Sequence, residues 1–188
     1  VEEVRRNNPE EVILATGSLV GQLSIPGVGA LPLLDPLDVM ANGWDGDGRA
    51  LVFGGGMRGC GVAGRLAELG GEVFMVEPGE VLSEDLGPRA RFPMVQKLIS
   101  RGNLRVFLNT SLERFEGDMA VLHERDGGIS EISGIRLVVS TRIMCPQSEL
   151  HAVLALEMPA LRVHVVGDCR RPRGIFEAVQ EGATVARS

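Results

Sequence analysis

Three glycines stand at fixed spacing in the run Gly54-Gly55-Gly56-Met57-Arg58-Gly59, and a glutamate, Glu77, follows them. Residues without side chains let backbone N–H groups come up to a diphosphate, and a helix that starts there adds the positive end of its dipole. In this pattern Gly54 permits a tight turn, Gly56 a close approach of ligand to backbone, and Gly59 the packing of helix on sheet. Gly55, Met57 and Arg58 complete the cradle. An acidic residue roughly 20 residues on accepts hydrogen bonds from ribose hydroxyls and repels a 2′-phosphate. No Arg or Lys occurs from Glu77 to Ser83, so the pattern points to NAD(H) rather than NADP(H). Two other readings stay open: a glycine-rich turn that holds no ligand, and a pocket that keeps only an adenine nucleotide.

Two further stretches carry groups of use to a nucleotide. Thr16-Gly17 ends an apolar run ahead of the fingerprint, and Gly167-Asp168 ends another far behind it. An Asp at such a strand end can bond a ribose or ribityl hydroxyl, or simply cap the next helix. No residue is singled out as catalytic. His123, His151 and His164 fall in a strand, a helix and a strand, where structural roles suffice. Cys60, Cys145 and Cys169 are far apart and no CxxC is present, which removes a thioredoxin-type pair and a common zinc pattern. No metal site is expected. Cys60 reads as core packing, although its place at a helix start could lower its pKa.

The elements needed to hold these groups are legible. Residues 11–16 form a strand, 18–34 a crossing loop, and Asp35-Pro36 starts a short helix from Leu37 to about Asn42. A polar break, Gly43 to Gly48, precedes a strand from Arg49 to Phe53. The fingerprint then opens a helix with Val62, Leu66 and Leu69 on one stripe, ended by Gly70-Gly71. Glu72 to Val76 is the next strand, so strand, turn, helix and strand fill one βαβ crossover. A helix from about Arg89 to Ser100 follows, with Pro93 limiting its start. Strands at 104–108, 119–123 and 135–140 come without helices between them and suggest an antiparallel three-stranded meander. Arg162 to Val166 is a strand, and Gly174 to Ser188 a helix with Phe176, Val179, Ala183 and Ala186 on one face. The whole is an α/β fold: a Rossmann-like parallel sheet with the meander attached.

Composition narrows the function classes. The 188 residues include 25 glycines, about twice the usual share, placed at the ends of apolar runs where α/β turns need them. The net charge is -6, with acidic and basic residues interleaved, and Tyr is absent. Base-stacking platforms therefore lack material, and nucleic acid is not an expected partner. No apolar run approaches the roughly 20 residues of a membrane span. No signal-peptide pattern is present, so a cytoplasmic setting is the default. The first residue is Val, consistent with a fragment or processed product.

Taken in order, these motifs resemble the two-dinucleotide-domain flavoprotein reductases. More narrowly the chain is similar to the C-terminal part of NADH:flavin oxidoreductases of the trimethylamine dehydrogenase and 2,4-dienoyl-CoA reductase type. The stretch Val165 to Arg187, with Gly-Asp-Cys-Arg-Arg-Pro-Arg-Gly-Ile-Phe-Glu-Ala-Val-Gln-Glu-Gly, carries most of the likeness. The Ala15-Thr16-Gly17-Ser18 run, the fingerprint and Leu66-Ala67-Glu68 add to it. The resemblance implies an NAD-type domain, residues 47–155, inserted into an incomplete FAD-type part, residues 1–46 and 156–188. It implies Asp168 near the flavin-side nucleotide and Thr16 and Gly17 near the crossover. Family members tend to carry an acidic residue where Gly61 stands and a Thr-Gly pair where this chain reads Ser140-Thr141-Arg142.

The expected function is the NAD(H)-binding portion of a multidomain flavin oxidoreductase. FAD would belong to the full-length protein, whose N-terminal barrel and first FAD-type βαβ would be partners of this segment. The alternative is a structural module that holds an ADP-like nucleotide, or none. A disulfide reductase relative is disfavoured by the missing CxxC. Apolar surface left by absent domains would favour self-association as a homo-oligomer.

Overall fold

The computed structural model describes residues 1–45 and 47–187. Gly46 of the Gly43–Gly48 break, and Ser188, the expected end of the last helix, lie outside the described residues. In chain order the elements are α1 (Glu2–Asn7), β1 (Glu11–Leu14), β2 (Ser18–Val20), β3 (Leu33–Leu34), α2 (Pro36–Asn42) and β4 (Arg49–Phe53). Then come α3 (Met57–Glu68), β5 (Glu72–Glu77), α4 (Pro88–Ile99), β6 (Leu104–Leu108), β7 (Thr110–Glu116) and β8 (Met119–Glu124). The chain closes with β9 (Ile129–Ile132), β10 (Ile135–Ser140), β11 (Met144–Pro146), α5 (Glu149–Glu157), β12 (Arg162–Val165) and α6 (Ile175–Val185).

These elements form two compact units, one of Gln22–Ile143 and one of Val1–Gly21 with Met144–Ser188. The larger unit is built on a parallel sheet in the order β3-β10-β4-β5-β6. Leu51, Val52, Val73, Met75 and Val76 are fully buried, because both faces of the sheet are covered; this is why β4 and β5 read as continuous apolar runs. Ala50, Val52, Val73 and Met75 pack with Val62, Ala63 and Leu66 of α3 and Leu98 of α4. Leu51, Phe53, Phe74 and Val76 pack on the other face with Leu112, Phe115, Leu122 and Ile132. The layers are therefore helix, parallel sheet and antiparallel sheet.

Several expectations need correction here. A three-stranded meander is present, but its strands are β7, β8 and β9, paired antiparallel. Only the segment at 119–123 belongs to it. The segments at 104–108 and 135–140 are β6 and β10 of the parallel sheet. β7 alternates buried and exposed residues, with Glu113, Arg114 and Glu116 on its outer face, so its apolar content falls below that of a two-faced strand. Helix α4 spans the expected stretch, but Pro93 lies inside it and does not limit its start, at the loss of one i→i−4 hydrogen bond. The 18–34 segment is not all loop, since β2 and β3 lie in it. On α3, Val62 and Leu66 are buried but Leu69 is 45% exposed.

In the smaller unit β1 pairs in parallel with β12, and β2 pairs antiparallel with β11. Leu14, Leu154 and Cys169 are its buried core. Helix α6 has no buried residue, and Phe176 and Val179 of its apolar face are 75% and 65% exposed. The apolar stripe exists but is turned to solvent. The units part at 21/22 and 143/144. Residues 22–46 belong with the larger unit because α2 packs its Val39 into the core under α3, and β3 adds to the edge of the parallel sheet beside β10.

Candidate nucleotide site

In an open parallel sheet, ligands sit outside the carboxyl ends of the strands where the strand order reverses. Here that point lies between β4 and β10. From β4 the chain crosses through α3 to β5 on one side, while β10 lies on the other. The segments that leave the two strands there are Gly54–Gly56 and Thr141-Arg142, and β5 delivers Glu77 beside them. Together with Asp85 they line a cavity of about 420 Å³.

Two of the fingerprint glycines meet backbone demands that a side chain would violate. Gly54 has φ +113°, a backbone conformation few side-chain-bearing residues adopt, and its N–H donates to the Val76 carbonyl at 2.9 Å. A β-carbon on Gly59 would collide with the Gly54 carbonyl oxygen, so the helix can seat against the turn only without one. Gly56 is the N-cap of α3, and Met57 and Arg58 form its first turn.

Glu77 faces the bend. It is 8% exposed. One carboxylate oxygen accepts the Gly55 N–H at 2.6 Å, and the other accepts the Gly79 N–H at 2.6 Å and the Arg142 guanidinium at 3.2 Å. Of the roughly four acceptor positions on a carboxylate, these three contacts leave one for a ribose hydroxyl. Thr141 closes the floor, its hydroxyl donating to the Gly54 carbonyl at 3.1 Å. The cavity thus offers a carboxylate with one acceptor position in reserve beside a turn of bare backbone.

Two residues at the site escaped motif reading. Arg142 stands 65 residues from Glu77 in sequence. A distant strand end supplies this cation, so the stretch from Glu77 to Ser83 does not contain it. Asp85 is the second, its carboxylate accepting the Met57 N–H at 2.9 Å. A strand-order assignment would have flagged Arg142, since it follows β10 at the reversal point; no spacing rule flags Asp85. Cys60 is buried, donating to the Gly55 carbonyl at 3.4 Å and accepting from the Ser83 hydroxyl at 3.1 Å. Burial pushes its thiol pKa up, outweighing the Ser83 bond, so the helix start does not activate it.

The remaining expected site residues gather in the smaller unit. Thr16 donates to the Gln147 carbonyl at 2.7 Å and meets the Cys169 sulfur at 3.0 Å. Gly17 turns with φ +78°. The Gly167 N–H donates to Glu181 at 2.7 Å, and Asp168 accepts from the Ser18 hydroxyl at 3.3 Å and the Arg173 N–H at 2.9 Å. Asp168 is therefore no helix cap, as Gly174 holds that position before α6. The Arg173 guanidinium, and then the Gly167 N–H, hold the Glu181 carboxyl below the usual carboxylate range. Arg170 and Arg173 both pair with Glu181. Among the described residues no cluster of three or more metal-ligating side chains occurs, and no helix is long and apolar enough to cross a membrane.

Known proteins agree with this architecture. The chain is 28% identical over 187 residues to bilirubin reductase of Mediterraneibacter gnavus (strain CC55_001C), covering 98% of this chain and 28% of that protein. It is 30% identical over 189 residues to NADH oxidase of Thermoanaerobacter brockii, covering 98% of this chain and 29% of that protein. The chain thus spans under a third of either relative. Histamine dehydrogenase from Rhizobium sp. 4-9 shares the fold with a TM-score of 0.87 at 20% identity, over 99% of this chain and 30% of that one. A family profile described as pyridine nucleotide-disulphide oxidoreductase matches residues 3–182. The resemblance to two-dinucleotide-domain flavoproteins is borne out: the chain belongs to the pyridine nucleotide-disulphide oxidoreductase family, which binds flavin and pyridine nucleotide cofactors.

Proposed function

We propose that this chain is the nucleotide-binding portion of a multidomain flavin oxidoreductase, and that it holds NAD(H) across the Gly54–Gly59 bend for hydride transfer to a flavin. The observation that carries the reading is Glu77, a buried carboxylate turned onto the first turn of the fingerprint with an acceptor position in reserve. Hydride transfer asks the protein for alignment of two cofactors more than for acid–base chemistry, which suits a site without a dedicated catalytic side chain. On this reading residues 47–155 make up the NAD-type part and residues 1–46 and 156–188 belong to an FAD-type part. Thr16, Gly17, Gly167 and Asp168 then serve the flavin nucleotide of the longer protein. An N-terminal barrel and the first FAD-type βαβ would be its partners, with self-association through exposed apolar surface. The reading carries a cytoplasmic setting, where thiols such as those of this chain stay reduced.

A second reading, an adenine nucleotide held without turnover, is favoured by Arg142, which lines the cavity where related proteins tend to have a small Thr-Gly pair. Calorimetric titration of the purified chain with NADH, NADPH and ADP separates the two. Tighter binding of NADH than of NADPH and ADP supports the first. ADP binding equal to that of NADH supports the second. Negligible affinity for all three rejects both.

A further inference from the structure

The place a dinucleotide's phosphates would take is already held by a carboxylate of the chain. Asp85 sets its oxygens 2.9 and 3.1 Å from the backbone nitrogen of Met57, the first residue of α3. A β-carbon built on Gly56 would lie 3.3 Å from one of those oxygens, so Asp85 sits over the residue whose bare backbone should meet the phosphate. Glu77 and Glu84 line the same cavity, which makes it anionic apart from Arg142.

The segment that carries Asp85 is anchored immediately before it. Ser83 is fully buried, its N–H donates to the Gly55 carbonyl at 2.7 Å, and its hydroxyl bonds Cys60. Its φ of +50° is the left-handed conformation, sparsely used by residues other than Gly, Asn and Asp. Leu82 beside it is buried, while Glu84 and Asp85 are exposed. The backbone of the fingerprint turn therefore fixes the base of this segment and aims Asp85 at the helix start, leaving the side chain itself free to swing.

We propose that Asp85 is a built-in competitor of the diphosphate: it must leave the Met57 N–H before a phosphate can take that donor, and so it sets the affinity of the site. The inference rests on the nucleotide reading given above. One N–H cannot serve both anions, and a carboxylate held at van der Waals distance from a phosphate repels it. A ligand that lacks phosphates meets no such competition.

The test compares ADP, NADH and adenosine binding to the wild-type chain, D85A, D85N and E84A by calorimetry. Expected are roughly tenfold tighter binding of ADP and NADH to D85A and a smaller gain for D85N, whose amide oxygen can still accept the Met57 N–H. Adenosine affinity stays unchanged, and E84A, which removes a cavity charge without freeing the Met57 donor, gains less than D85A. ADP affinity in D85A and D85N equal to or weaker than wild type overturns the proposal. A gain in E84A as large as in D85A also overturns it, since general charge then explains the effect. No binding of any nucleotide to any variant instead sinks the nucleotide reading, and this inference with it.

Discussion

The carboxylate of Glu77 accepts the backbone N–H of Gly55 at 2.6 Å, linking the end of β5 to the turn that follows β4. This bond does two jobs. It satisfies a donor that the tight turn leaves without a strand or helix partner, and it points the carboxylate into the cavity.

Glu77→Gln should therefore weaken both folding and binding. The amide has one acceptor where the carboxylate served Gly55, Gly79 and Arg142. A loss of about 2 kcal/mol is expected, the size of a buried hydrogen bond to a charged group. Urea denaturation reads the stability and NADH titration the affinity; a variant matching wild type in both contradicts the assignment.

Two glycines of one helix should respond in opposite directions. Gly59→Ala drives a methyl into the Gly54 carbonyl and should cost about 3 kcal/mol, the upper end for overpacking. Gly61 faces open space, so Gly61→Ala should stabilise by about 0.5–1 kcal/mol through better helix propensity. Denaturant midpoints of the two variants check the pair of signs.

Thiol chemistry should sort the three cysteines. Cys60 and Cys169 are buried and Cys145 is exposed, and burial keeps the Cys60 thiol protonated past its ordinary range. An aromatic disulfide reagent at pH 8 should label Cys145 alone in the folded chain and all three after denaturation. Rapid labelling of Cys60 in the native state would contradict its packing.

Acid should loosen the smaller unit through Glu181. Its folded pKa is lowered, chiefly by Arg173 and then by the Gly167 N–H. A lowered carboxylate stabilises the fold fully above its unfolded value near ~4.3 and loses that contribution as pH falls through the lower folded value. The stability gap between wild type and E181Q should thus be widest near neutrality and close below about pH 4. Thermal unfolding followed by circular dichroism from pH 7 to 3 measures it, and a gap that does not narrow contradicts the pairing.

The elements that repeat a strong apolar signal were legible from residues alone. β4, α3 and β5 sit where their patterns put them, and Asp35 caps α2 by accepting the Leu37 N–H at 2.7 Å. The sheet partners were not. β6 and β10 carry the same kind of residues as a meander strand, and only pairing across the chain distinguishes them. That misplacement also hid the closeness of Arg142 to Glu77, which depends on β10 lying beside β4. The apolar face of α6 was legible too, but periodicity identifies a stripe and not whether anything covers it.

The pairing of β1 with β12 has a consequence for the order of events in folding. Leu14 meets Val165 only after the chain has traversed the whole of the larger unit. Closing so long a loop early would be entropically costly, and non-local contacts of this kind form slowly. Once Gln22–Ile143 has condensed, the effective loop shortens and the two ends can find each other. The order expected is therefore the middle of the chain first and the β1–β12 pair last.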